Sequence, residues 1–167
     1  MSPSASVWTP AYVALGSNLD EPLTQIAAAF DALSGLTGTR LVVRSRLYRS
    51  DPLGPQPQPE FVNAAAGVLT QLTPRALLDA LKSIKARMGR GSPVVRWGPR
   101  RIDLDLIVYG DARIAEDQLT VPHPGAPSRN FVLYPLCDIA PTLLIPGHGR
   151  VSELAARAGS AGLAVIP

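Results

Sequence analysis

Leu41-Val-Val-Arg-Ser-Arg-Leu-Tyr48 and Phe61-Val-Asn-Ala-Ala-Ala-Gly-Val-Leu69 are two β-rich runs with no helix between them. The joining segment, Asp51-Pro-Leu-Gly-Pro-Gln-Pro-Gln-Pro59, holds four prolines, which lack a ladder donor, so it reads as a stiff loop. The first run is interrupted by arginines and predicts a strand with one charged face. The second is Ala-rich and predicts a central strand, where small side chains let layers approach. Upstream, Tyr12-Val-Ala-Leu-Gly-Ser17 is a short apolar strand that stops at a Gly and a polar pair. Asp20 is expected to cap the helix that follows, with Pro22 in its first turn and Leu23, Ile26, Ala27, Phe30 and Leu33 along one face.

Downstream of the central runs, Thr73 and Pro74 open a second helix. Leu77, Leu78, Leu81, Ile84 and Met88 recur there at helical spacing, and Gly89 ends it. Ile102 to Tyr109 alternates as a fourth strand. The order strand, helix, strand, strand, helix, strand predicts an α+β fold with a ferredoxin-like βαββαβ core, its helices packed on an antiparallel sheet. A C-terminal extension follows, with short helices expected near Ser128 to Leu136 and Ser152 to Arg157. Residues 1–10 read as a loose tail on a single domain covering 1–167.

With 167 residues, 46% of them hydrophobic, such a chain buries roughly 70% of its unfolded surface and needs no covalent staple. The one cysteine, Cys137, excludes a disulfide framework and a cysteine-based zinc site. No apolar run approaches the roughly 18 residues of a membrane helix, and the first ten residues lack the basic start and apolar stretch of a signal peptide. A cytoplasmic protein without a membrane partner is expected. Charge is segregated: from Arg40 to Arg101 ten Arg and two Lys face three acids, +9, while the remaining residues carry −6. That asymmetry points to an anionic ligand, either nucleic acid or a small phosphate compound.

Asp103 and Asp105 fall two apart in Ile102-Asp-Leu-Asp-Leu-Ile-Val-Tyr109, so a strand projects both carboxylates from one face and sends Ile102 and the leucines into the core. Paired hard oxygen ligands suit magnesium that carries nucleotide phosphates. The blander reading, a solvated outer face, loses ground because Arg90, Arg96, Arg100 and Arg101 precede the pair within twelve residues. Guanidinium forks bind phosphate oxygens bidentately. Gly89, Gly91, Pro93, Gly98 and Pro99 make that loop a segment able to move over a ligand. No Gly-x-x-x-x-Gly-Lys-Ser/Thr motif is present, which excludes a P-loop. His123, held between Pro122 and Pro124, suits a phosphate contact, whereas His148 reads as surface. On their residues alone Phe61 and Phe131 read as core.

Taken in order, the motifs resemble one family. They are Tyr12-Val-Ala-Leu-Gly-Ser-Asn-Leu19, Tyr48-Arg-Ser-Asp-Pro-Leu-Gly-Pro55, Gln58-Pro-Glu-Phe-Val-Asn-Ala-Ala65, Gly89-Arg90, Arg96-Trp-Gly-Pro-Arg-Arg-Ile-Asp-Leu-Asp105, Leu119-Thr-Val-Pro-His123 and Arg129-Asn-Phe131. The chain resembles 6-hydroxymethyl-7,8-dihydropterin pyrophosphokinases of the folate pathway from about Tyr12 to Pro141. The resemblance implies transfer of pyrophosphate from ATP to the pterin hydroxymethyl oxygen, releasing AMP, with two Mg2+ ions bridged by Asp103 and Asp105. It implies that Phe61 and Phe131 sandwich the pterin and Asn63 bonds its polar edge, with Ser50, Asp51 and Leu53 completing the pocket. Arg90 and Arg100 join the two Asp as catalytic residues. Gln58, Arg90, Arg96, Arg100, His123 and Arg129 contact ATP or order its loops, Trp97 helps close the Arg-rich loop, and Leu106 and Thr120 lie beside adenine.

This sequence departs from the family pattern at Lys85, where Glu is usual, and at Ser92, Gln118 and Pro124. Those changes bear on ATP affinity and loop closure, not on the reaction. An RNA-binding ferredoxin-like module is the alternative, disfavoured because Tyr12-Val-Ala-Leu and Val62-Asn-Ala-Ala-Ala offer few aromatics for base stacking. A ligand-binding relative without activity is disfavoured by the presence of Arg90, Arg100, Asp103 and Asp105. A monomer is expected, with ATP and the pterin as its small-molecule partners and no nucleic acid. Residues 146–167 carry no functional assignment.

Overall fold

The computed structural model describes residues 7–55, 57–89 and 98–167. Strand β1 (Thr9–Ser17) lies between β4 (Phe61–Thr70) and β5 (Asp103–Tyr109), antiparallel to both. It begins three residues before the expected Tyr12 and takes Thr9 and Pro10 of the supposed tail into the ladder, opposite Thr70 and Leu69. The run expected as one strand over Leu41–Tyr48 is instead two, β2 (Thr39–Arg44) and β3 (Tyr48–Ser50), both paired with β4. The reason is a count. Arg44 faces Ala66 and Tyr48 faces Asn63, so four steps on one side meet three on the other. Ser45 still meets Ala65, its amide donating to the Ala65 carbonyl at 2.9 Å and its hydroxyl accepting from the Ala65 amide at 2.8 Å, so the surplus residue falls in the irregular link between Ser45 and Tyr48.

A last strand, β10 (Leu163–Val165), pairs with β3 and extends the sheet to the order β10-β3-β4-β1-β5, with β2 beside β4. Helices α1 (Pro22–Ser34) and α2 (Pro74–Met88) cover one face through Ile26, Ala29, Phe30, Leu33, Leu77, Leu81 and Ile84, packed on Ala11, Val13, Leu15, Leu104 and Leu106. Leu23 and Ala27 point outward, so the apolar stripe of α1 is rotated toward Ala29. Thr73 caps α2 as expected, accepting from the Ala76 amide at 3.1 Å. Asp20 does not cap α1: it sits at φ 54° and its carboxylate pairs with Arg101 at 2.7 Å.

Helices α3 (Asn130–Ile139) and α4 (Val151–Ala158) cover part of the other face, burying Ala65, Ile107, Val108, Val132, Leu136 and Leu154. Both correspond to helices expected in the extension. A hairpin the sequence reading left unassigned, β6 (Ile114–Glu116) with β7 (Leu119–Val121), precedes them, and β8 (Leu144–Ile145) pairs with β9 (Gly149–Arg150) between them. The result is an α+β fold with four α-helices among the described residues and an antiparallel main sheet. The sheet surface on which an RNA-binding module would stack bases is in part buried under α3.

Candidate active site

Where α3 stops covering the sheet, a cleft of about 310 Å³ opens. Its floor is β1, and the register explains its contents. Gly16 lies between Asn63 of β4 and Asp103 of β5, and Ala14 between Ala65 and Asp105. Directly opposed residues of antiparallel strands share a face, so Asn63 and both carboxylates project toward the same space. Gly16 and Ala14 keep the floor between them low.

One end of the cleft is aromatic and polar, with Asp51 as its acidic member. Phe61 and Asn63 come from β4, Phe131 from the first turn of α3, and Ser50, Asp51 and Leu53 from β3 and the proline-rich loop. Asn63 is 4% exposed and its Nδ2 donates to the Ser50 hydroxyl at 2.6 Å. A buried amide held this way presents a fixed hydrogen-bonding edge.

The other end is charged. Asp103 and Asp105 meet Arg100, His123 and Arg129 there. Burial, and then the neighbouring Asp105, push the Asp103 carboxyl up to about 6, opposed by Lys85 and Arg100. Lys85 Nζ approaches Asp103 Oδ1 to 3.8 Å. His123 is held by its own backbone, with its amide bonded to the Ile107 carbonyl at 2.9 Å and Nδ1 accepting from the Gly125 amide at 3.1 Å. With Nδ1 as acceptor the ring proton is assigned to Nε2. Burial holds this imidazole below its usual range, Asp105 working against the shift and Arg129 with it. The Arg129 guanidinium lies across Gly125, where a Cβ would come within 2.5 Å of its Cζ.

Asn18 ties the edges of the cleft together and was missed as a site residue. It is 2% exposed and donates from Nδ2 to Gln58 Oε1 at 2.8 Å and to the Pro59 carbonyl at 2.9 Å. Its Oδ1 accepts from the Arg100 amide at 2.8 Å. The one signal in the sequence was a polar residue closing the Gly-Ser-Asn end of an apolar strand. Gln58 therefore reaches the site through Asn18 and does not itself line the cleft.

Of the residues singled out in the sequence, Ser50, Asp51, Leu53, Phe61, Asn63, Arg100, Asp103, Asp105, His123, Arg129 and Phe131 converge on this one cleft. Leu106 belongs to the core on the α1 and α2 side, and Thr120 is exposed on β7. Arg90, Arg96 and Trp97, and the departure Ser92, lie outside the described residues. Phe61 and Phe131 are half-buried and line the cleft, so their reading as core residues is corrected.

The family described as 7,8-dihydro-6-hydroxymethylpterin-pyrophosphokinase matches residues 12–141. The chain belongs to that family. It is similar to the Pseudomonas aeruginosa 2-amino-4-hydroxy-6-hydroxymethyldihydropteridine pyrophosphokinase, 49% identical over 93% of this chain and 96% of the relative. The Haemophilus influenzae pyrophosphokinase of the same description is 46% identical over 86% of this chain and 89% of its own length. Among solved structures, a Plasmodium falciparum HPPK-DHPS chain with pterin and p-hydroxybenzoate shares the fold, with a TM-score of 0.69 at 15% identity. That alignment covers 90% of this chain and 43% of the longer one, so this chain spans less than half of it. As a member of its family the chain is a pyrophosphokinase, an ATP-dependent diphosphotransferase of folate biosynthesis.

The pyrophosphokinase's acidic pair fits a divalent cation on its chemistry. Two carboxylates facing one space form a hard anionic donor set whose repulsion a cation relieves. Among the described residues no three His, Cys, Asp or Glu side chains gather as a metal cluster. Further ligands would come from phosphate oxygens and water.

Proposed function

We propose that this pyrophosphokinase transfers pyrophosphate from ATP to the hydroxymethyl oxygen of 6-hydroxymethyl-7,8-dihydropterin within the cleft on β1. The hydroxyl oxygen bonds to the β-phosphorus of ATP, the bond to the α-phosphate oxygen breaks, AMP leaves, and the hydroxyl proton is released. The observation that carries this reading is the pair Asp103 and Asp105, which faces the same space as Asn63 across a floor of Gly16 and Ala14.

In this reading the pterin ring lies between Phe61 and Phe131, and Asn63, preset by its bond to Ser50, recognises the polar edge. Ser50, Asp51 and Leu53 close the pocket. Asp103 and Asp105 would hold two Mg2+ ions, which when bound supply charge neutralisation of the triphosphate and a more acidic hydroxyl. Arg100 and Arg129 flank the phosphates, and His123 presents Nε2 to them. Arg90, Arg96 and Trp97, together with Gln58, Leu106 and Thr120, take the nucleotide-side roles that the resemblance implies. Such a transfer needs alignment and charge stabilisation more than a covalent protein intermediate. The proton acceptor in this reading is Asp103 or Asp105.

The order β5-β1-β4, with β2 and β3 beyond, supports a ferredoxin-like core for a single domain over residues 1–167. We read the protein as a cytoplasmic monomer that acts on small molecules rather than nucleic acid. No helix among the described residues is long and apolar enough to cross a membrane.

Chromatography of nucleotides after incubation with ATP, magnesium and the pterin tests the reaction. AMP should appear in step with pterin consumed. ADP in its place would mean single phosphoryl transfer and would refute the proposal.

A further inference from the structure

The C-terminal residues, to which the reaction assigns nothing, reach both aromatic walls of the cleft. On one side β10 continues a register row: Leu163 faces Ser50, and Ser50 faces Phe61. The row is reinforced where the Asp51 amide donates to the Gly162 carbonyl at 3.1 Å and the Ile166 amide to the Leu47 carbonyl at 2.8 Å. On the other side stands Asn130, the first residue of α3 and the chain neighbour of Arg129 and Phe131. Its Nδ2 donates to the Gly159 carbonyl at 3.0 Å and to the Ala161 carbonyl at 2.9 Å. The turn 159–162 is thus gripped by the strand that carries Ser50 and by the helix that carries Phe131.

We infer that Asn130 and the turn it holds are positioning elements for the ring-binding half of the cleft, setting the separation of Phe61 and Phe131. This rests on the reading of those two side chains as the walls around the pterin. A side-chain amide suits the task at Asn130, because its one nitrogen offers two donors to two carbonyls, whereas a carboxylate offers none. Gly162 is required for a matching reason. It adopts φ +73°, and a Cβ there would lie 2.6 Å from Asp51 Oδ2. Any side chain at 162 displaces Asp51 or the turn.

The test compares two affinities in the full chain. Kd for the pterin, followed by its fluorescence, and Kd for a non-hydrolysable ATP analogue are measured for Asn130→Ala, Asn130→Asp and Gly162→Ala. Two hydrogen bonds of ordinary net strength correspond to about tenfold in affinity. Asn130→Ala should weaken pterin binding by about that factor, Asn130→Asp by more, and leave the ATP analogue within about twofold. Gly162→Ala, which acts from the opposite side of the turn, should weaken the pterin selectively as well, and it decides the matter if Asn130→Ala folds poorly. Unchanged pterin affinity in both positions, or equal loss for pterin and nucleotide, overturns the inference while leaving the ring-binding reading intact. If the unsubstituted chain binds no pterin, that reading fails, and the inference fails with it.

Discussion

Asn63 and Asp103 stand on opposite sides of a single residue, Gly16, in one row across the sheet. The amide proposed to read the substrate ring and the carboxylate proposed to hold the cation are therefore two strand spacings apart, on a scaffold of backbone hydrogen bonds rather than on loops. Sites carried by paired strands hold their geometry better than sites carried by connecting segments. The lack of a side chain between the two groups is what leaves room for a ligand.

That arrangement sets an expectation for Gly16. A Cβ there would sit 3.4 Å from Asn63 Oδ1 and 3.8 Å from Phe61, ordinary contact distances, so Gly16→Ala should fold with a Tm close to the parent's. Gly16→Val carries its methyl groups into the cleft. Calorimetric titration with the pterin should show a loss of at least about tenfold for Val, on the scale of a steric clash of 1–3 kcal/mol. Equal affinities for the Gly, Ala and Val forms would place the substrate elsewhere.

Asp103 carries a cost in the metal-free protein that its function demands. Its folded-state pKa, about 6, lies above the ordinary carboxylate value, so the folded chain binds the proton more tightly than the unfolded chain. Stability is then favoured below the unfolded pKa and declines as pH rises through about 6. Asp103→Asn should abolish turnover yet raise metal-free stability at pH 7.5 by about 1 kcal/mol, a value discounted for the side chain's solvent contact. Thermal melts at pH 7.5 and pH 4 provide the check. The gain should vanish at the lower pH, and a gain of the same size at both would contradict the assigned shift.

Lys85 lies 3.8 Å from Asp103, where a positive charge opposes a second cation. Removing it in Lys85→Met should tighten Mn2+ binding to the nucleotide-free protein by about two- to fivefold, the range for a partly solvated pair. Electron paramagnetic resonance of free Mn2+ measures this directly. The tightening should disappear in an Asp103→Asn background, and its persistence there would show that Lys85 acts on some other group.

A second polar network fixes α3 against β3. Tyr48 donates to Asp138 at 2.8 Å, and Arg46 Nη2 meets the same carboxylate at 2.8 Å. Burial first, and the bond to Asp138 next, push the Tyr48 phenol up to about 12. The bonds from Arg46 and Tyr48 outweigh burial at Asp138 and hold its carboxyl below the ordinary value. The stabilisation is therefore present above the unfolded pKa and is lost as pH falls through the lower folded one. Asp138→Asn should cost about 1 kcal/mol at pH 7 in denaturant melts, with the difference shrinking toward pH 3. A penalty that does not change with pH would assign the loss to packing rather than to charge.

Local patterns made much of this legible. Period-two alternation in Ile102–Tyr109 put Asp103 and Asp105 on one face before any fold was known, and the face is the one that lines the cleft. Thr73 with Pro74, and Gly89, bounded α2 correctly because capping and helix termination are short-range chemistry. Asp20 shows where the same chemistry fails. Its side chain was a good cap in isolation, but an arginine 81 residues away competes for it and wins.

The sequence by itself determined the order of β-rich and helical runs from Tyr12 to Tyr109, though not the split of one run into β2 and β3, the family through its ordered motifs, and the shared face of the acidic pair. Each of these depends on residues close together in the chain. Tertiary structure alone decided the break between β2 and β3, the rotation of α1 toward Ala29, the clamp made by Asn18, and the pairing of β10 with β3. These depend on partners distant in sequence, and a hydrogen-bonding group carries no local mark of which distant donor or acceptor will reach it.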